Sequence, residues 1–245
     1  MKQELSKKTR TESDLIGSRE VPESALYGVQ TLRGIENFRI SKFHLNEYPL
    51  FIQALAITKM GAAIANRELD LLTKEQTDAI LKACKEILEG KYHDQFPVDM
   101  IQGGAGTTTN MNANEVIANR ALELMGHQRG EYQYCSPNDH VNRSQSTNDA
   151  YPTAIHIGLY YTHLKLVKHF ETLIQSFRKK GEEFANIIKM GRTQLEDAVP
   201  MTLGQTFNGF ASILEHEVKN LDFAAQDFLT VNMGATAIGT GITAE

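Results

Sequence analysis

Apolar residues recur at helical spacing over most of the chain, and that period predicts helices. Pro49 opens the first clear run, LFIQALAITKMGAAIANREL. Thr73 and Gln76 have the hydroxyl-to-amide spacing of a capping box before DAILKACKEILEG, with Gly90 placed to end it. NANEVIANRALELMG repeats the pattern and stops at Gly126. Residues 153–184 carry a broad stripe through Leu159, Leu166, Phe170, Leu173 and Phe177. Thr202 and Gln205 form a second capping box. It opens a helix running to about Val231, whose stripe passes through Phe207, Phe210, Leu214, Leu221, Ala224 and Phe228, with Glu217 as an interruption. Stripes of that length call for long helical partners. The pattern predicts a mainly α protein in three parts. Residues 1–13 form a polar, disordered tail, 14–141 a small N-terminal helical domain, and 142–245 part of a central long-helix bundle. Residues 14–48 read as irregular, broken by Gly17, Pro22, Gly28 and Gly34, with FRISKFHL as a short strand.

Three polar segments interrupt the helical runs: Gln102 to Glu115 (QGGAGTTTNMNANE), Ser136 to Thr153 (SPNDHVNRSQSTNDAYPT) and Met190 to Thr202 (MGRTQLEDAVPMT). Each leads into a helix start, where unpaired N–H groups and the helix dipole favour an anion. Glycines let backbone approach a ligand, and Thr107, Ser146, Thr147 and Asn148 donate hydrogen bonds without carrying charge. Thr193 and Gln194 form the polar tip of the third segment. Taken singly, each segment is accounted for by capping. Together they are longer and more polar than caps require, which suits a small anion such as a carboxylate. His140, His156, the Glu196–Asp197 pair and Asp149 read more simply as hydrogen-bonded, packed, solvated and dipole-favouring residues than as acid–base groups.

Charge and cysteine usage narrow the classes. The 245 residues carry 25 Lys and Arg against 30 Asp and Glu, a net charge of −5 with no basic cluster, which excludes a general nucleic-acid binder. No apolar run is long enough for a membrane span, and the N-terminus lacks a signal-peptide core. Cys84 and Cys135 are the only cysteines, which fits reduced thiols in the cytoplasm. No zinc-type spacing and no nucleotide-binding glycine motif is present, so neither a metal nor a cofactor is expected.

The segments QGGAGTTTNMNANEVIANRA, SPNDHVNRSQSTNDAYPTAIHI and KMGRTQLEDAVPMTLGQ, in this order, resemble the fumarase/aspartase superfamily. GSREVPESALYGVQTLRGIENFRIS and NMGATAIGTGI extend the likeness from about residue 14 onward. TLRGIENF, QGGAGT and MGATAIGTG are similar to the aspartase branch. Class II fumarases usually carry histidine at the position of Gln194 and serine at that of Thr147. The resemblance implies a homotetramer around a shared helix bundle, with each active site built from three subunits. It implies reversible elimination of ammonia from L-aspartate to give fumarate, by way of a doubly charged aci-carboxylate. Thr107, Ser146 and Thr147 would hold the β-carboxylate, Asn148 would lie near the amino group, and Thr193 with Gln194 would take the α-carboxylate or amino end. The family's base is a serine in a Gly-Ser loop. This chain has no Ser-Ser pair, and family members continue for about as many residues again. It is therefore expected to hold the substrate-binding half, with no catalytic residue of its own, and to be inactive alone. The alternatives are a class II fumarase and a non-catalytic helical assembly module.

Overall fold

The structure is a computed structural model that describes residues 8–102 and 104–244. Its chain divides into two compact units, Met1–Gly158 with Val231–Glu245, and Leu159–Thr230. Both are mostly helical.

The first unit opens with a hairpin, β1 (Thr9–Asp14) and β2 (Gly17–Pro22), paired antiparallel from Thr9↔Pro22 to Asp14↔Gly17. This corrects the disordered tail, at least from Thr9; residues 1–7 lie outside the described residues. The polar strand is ordered by Arg10, whose guanidinium donates to the carbonyls of Pro22, Ala25 and Tyr27 and pairs with buried Glu12 at 2.7 Å. Helix α1 (Val29–Asn37) follows, where an irregular stretch was expected. Its local sequence lacks a cap because the cap is remote. The buried Glu115 carboxylate accepts from Gly28 N (2.8 Å), Gln30 N (2.8 Å), Thr31 N (3.0 Å) and Thr31 Oγ1 (2.6 Å). Gly28 is required there, since a Cβ would fall 2.5 Å from Glu12 Oε2.

FRISKFHL forms no strand; its single ladder contact is an isolated His44–Asp99 bridge. The nearby backbone donors go to a side chain instead. Asp99 accepts from Ile40 N, Ser41 N, Ser41 Oγ and Ile101 N, which pulls its carboxyl down to about 2 against the burial that would raise it.

Helices α2 (Pro49–Glu68), α3 (Lys74–Leu88) and α4 (Thr107–Leu124) pack on one another. Their core includes Ile52, Leu55, Ile80, Ile87, Ile117 and Leu122, all essentially inaccessible to solvent. The Thr73 capping box forms as expected. Helix α4 starts at Thr107, ahead of the apolar run, so the three threonines sit in its first turn. Pro137–Val141 make a single π-turn. Helix α5 (Thr147–Glu183) likewise begins earlier than its apolar stripe.

The second unit holds α5 from Leu159, a hairpin and α6 (Leu203–Ala225). Met190–Thr202, read as a polar segment between helices, belongs to β3 (Ile188–Thr193) and β4 (Glu196–Thr202). Gln194 and Leu195 turn the chain with positive φ of 46° and 72°. Gly191 marks a register shift, where a Cβ would lie 2.9 Å from Val199 O. The Thr202 capping box opens α6 as expected, and a 3-10 turn at Gln226–Leu229 ends the segment just short of Val231. Phe177, Phe184, Phe207 and Phe210 cluster between α5 and α6. Three leucines of the α5 stripe are left half-exposed: Leu159, Leu166 and Leu173 are 42–44% accessible.

Candidate functional site

The loop before α4 is bent by three successive left-handed residues, Gly104 (φ 72°), Ala105 (51°) and Gly106 (92°). Gly106 meets a second demand, because a Cβ there would lie 2.5 Å from the Tyr151 ring. That close approach seats the loop on the first turns of α5. Ala105, Gly106, Gln102, Asn148 and Tyr151 line a cleft of about 550 Å³. Gln102 fixes the loop by accepting from Thr109 N (2.8 Å) and donating to Thr109 Oγ1 (2.7 Å).

The start of α5 brings three of the candidate residues together. Ser146 is the residue before the helix, and its Oγ accepts from Asn148 N at 3.2 Å. Thr147 Oγ1 accepts from Asn110 Nδ2 at 3.1 Å. A hydroxyl that has accepted an N–H keeps its own proton to donate. Two adjacent O–H donors at a helix N-terminus are suited to an anionic oxygen. Thr107 differs: it is exposed, and its hydroxyl donates to Gly104 O at 2.6 Å. Asn148 donates to Ala237 O at 2.7 Å, so its amide holds the returning chain. Thr193 and Gln194 lie at the exposed turn of the β3–β4 hairpin, in the second unit.

Sequence reasoning gave Asp149 a smaller part than it has in this helix start and passed over Pro152, Asn232 and Lys59. Asp149 is fully buried and serves as more than a dipole-favouring acid. It accepts from Ser146 N (2.9 Å), Thr236 N (2.9 Å) and Gly234 N (3.2 Å), fastening the Val231–Glu245 segment to α5. Pro152 in α5 lacks an N–H, which leaves the Asn148 carbonyl without its helical donor; Asn232 Nδ2 supplies one at 3.0 Å. Lys59 is also fully buried. Its Nζ donates to Asn110 Oδ1 (2.8 Å), Asn142 Oδ1 (2.9 Å) and Gln145 Oε1 (2.8 Å). Burial pulls its pKa down to about 7, with the negative charge of Asp149 opposing. A sequence signal for Lys59 existed: a lone cation on the stripe Leu55, Ala56, Ala63.

His140 makes a loop hydrogen bond, accepting from Ser136 N at Nδ1 (2.7 Å), and burial lowers its pKa. Glu196 and Asp197 are exposed, Asp197 facing Arg192 at 3.2 Å. Among the described residues no three His, Cys, Asp or Glu side chains group to hold a metal ion, and no helix is long and apolar enough to cross a membrane.

A family model described as Lyase matches residues 17–245. The aspartate ammonia-lyase of Pseudomonas canavaninivorans is 58% identical over 237 residues, covering 96% of this chain and 50% of that protein. That of Escherichia coli strain K12 is 56% identical over 239 residues, covering 97% and 50%. Among solved structures, a fumarate lyase:delta crystallin from Brucella melitensis superposes with a TM-score of 0.92 at 51% identity, covering 97% of this chain and 52% of that one. A class II fumarase from Schistosoma mansoni gives 0.89 at 36% identity, covering 97% and 50%. The chain thus spans about half the length of the curated relatives it matches. With the family model matched over nearly its whole length, the chain belongs to the lyase family.

Proposed function

We propose that this chain supplies the carboxylate grip of an aspartate ammonia-lyase. The observation that carries this is the start of α5, where Ser146 and Thr147 each accept from a protein N–H and keep a proton to donate. Removing a proton from Cβ of L-aspartate places a second negative charge on the β-carboxylate. Preformed donors that tighten on that charge lower the barrier more than they tighten ground-state binding. Ser146 and Thr147 serve this role with the helix N-terminus behind them. Thr107 joins when its hydroxyl turns from Gly104 O, and Asn148 stands toward the amino end. Thr193 with Gln194, contributed by another subunit, takes the α-carboxylate or the amino end. No residue of this chain is assigned as the base. The half-exposed leucines of α5 are covered in a homotetramer, which works in the cytoplasm. The identities of 56–58% to aspartate ammonia-lyases, against 36% to the class II fumarase, favour ammonia over water as the group eliminated.

The complete protein carrying this chain is expected to form fumarate from L-aspartate, followed by ultraviolet absorbance, while the 245-residue chain alone binds succinate without turnover. Turnover of malate in place of aspartate would make it a fumarase. Absence of both turnover and dicarboxylate binding would leave a helical assembly module.

A further inference from the structure

A buried lysine needs a reason. Lys59 lies on the apolar face of α2, wholly shielded from solvent, and no carboxylate of the described residues is in hydrogen-bond contact with it. Its partners are three amide oxygens, from Asn110 on α4 and from Asn142 and Gln145 in the segment leading to α5. An ammonium has three N–H donors, and all three are used here. A neutral amine has two, and its lone pair would face the third oxygen. The cage is therefore complete only around the charged lysine, and no N–H is left over for a ligand.

The amides continue the network toward the candidate grip. Asn110, its oxygen fixed by Lys59, turns Nδ2 to Thr147 Oγ1 (3.1 Å) and to Asn142 Oδ1 (3.1 Å). Asn142 Oδ1 also accepts from Asn114 Nδ2 at 3.2 Å, while its own Nδ2 donates to Gln145 O at 3.2 Å. Gln145 Nε2 ties back to the carbonyls of Val141 and Arg143. Each amide is thus held by its oxygen, and that choice dictates where its nitrogen points. If Asn110 were to flip, its carbonyl would face Thr147, and the Thr147 hydroxyl would donate inward instead of outward.

We propose that Lys59 is a positioning residue: through the orientation of the Asn110 amide it makes Thr147 an outward hydrogen-bond donor. Lys59 does not touch the ligand; it sets the direction of a proton one residue removed. Resting on the aspartase reading above, the consequence is that the β-carboxylate grip is only as good as the amide cage behind it.

The test uses the complete protein and two readouts, succinate affinity by calorimetry and steady-state kinetics with L-aspartate. Lys59→Met keeps an unbranched side chain as far as Cε and removes the donors. The expected result is a folded protein whose kcat/KM falls on the order of 100-fold, the size of effect that misplacing a substrate-positioning group produces. Succinate Kd is expected to rise about 10-fold, as for one lost hydrogen bond. Thr147→Val made in the same background should then add little, because the donor is already misdirected. A lysine that merely supports the fold gives another pattern: a lower melting temperature, unchanged Kd and KM in the folded fraction, and losses that add to those of Thr147→Val. That pattern overturns the proposal. If Lys59→Met does not fold, Gln145→Met, which removes one cage acceptor from the loop, is expected to raise Kd in the same direction, and an unchanged Kd refutes the role. Wild-type protein that binds succinate without making fumarate ends the aspartase reading and leaves the cage to be judged on Kd. Wild-type protein that binds no dicarboxylate overturns both.

Discussion

Replacing Asp149 by asparagine tests what holds the start of α5. The carboxylate is fully buried and receives three backbone N–H groups, one at Oδ1 and two at Oδ2. An amide of the same shape has one acceptor oxygen. In the milder of its two orientations the oxygen keeps Gly234 and Thr236, and the –NH2 group opposes Ser146 N. One charge-assisted hydrogen bond is lost, worth about 1.5–3 kcal/mol, and a buried donor is left unmade at about 1–3 kcal/mol. The other orientation loses two bonds. A local destabilisation of about 3 kcal/mol is therefore expected, or roughly two decades in an opening equilibrium. Hydrogen exchange reads this directly. At least one of the Ser146, Gly234 and Thr236 amides should exchange roughly 100-fold faster in Asp149→Asn, while amides of α3 keep their protection. If all three exchange at the wild-type rate and the melting temperature is unchanged, the carboxylate does not fasten the segment and the account of this helix start is wrong.

Gly106→Ala combines a positive φ with a Cβ 2.5 Å from the Tyr151 ring, so it should destabilise the protein by about 3 kcal/mol, seen as a lowered melting temperature. Thr147→Val in the complete protein should lower kcat by about 10²–10³-fold with no loss of helix by circular dichroism, whereas Ser146→Ala should also weaken the helix start by about 1 kcal/mol. Asp99 is held at about 2, below the ordinary 3.8. A depressed carboxylate contributes stability that is present above 3.8 and lost as pH falls through about 2, so Asp99→Asn should flatten the acid limb of a melting-temperature profile over that window.

What the sequence made legible follows from the range of the interactions involved. Helices α2, α3 and α6 were readable because apolar period and caps are local: Pro49 leads one, and Thr73 and Thr202 close boxes three residues on. Helix α1 was not, since its cap, Glu115, comes from the middle of α4. The starts of α4 and α5 were placed late because their first turns are built from Thr, Asn and Ser, residues that look like loop. The β3–β4 hairpin was hidden because its polar residues stood out only as a break between helices; Gly191 makes a bulge there and Pro200 sits on a two-stranded edge. At the candidate site the hydroxyls and amides stood out as a group. Their supports did not: Lys59 and the Asn232 to Ala237 stretch reach them from distant parts of the chain, and Asp149, three residues from Ser146, reads as an ordinary first-turn acid. Lys59 alone left a visible mark, a cation on a buried stripe.

The Asp149–Thr236 hydrogen bond spans 87 residues of sequence, and the whole second unit lies between its ends. A ribosome adding about 5–20 residues per second needs roughly 4–17 s to travel that distance. Throughout that interval the nascent chain holds a carboxylate at the head of α5 with two of its three donors not yet made. Only the Ser146 amide is in hand, and water must serve in place of Gly234 and Thr236. The first unit is thus begun early in synthesis and finished late, and the part finished last is the helix start proposed as the carboxylate grip.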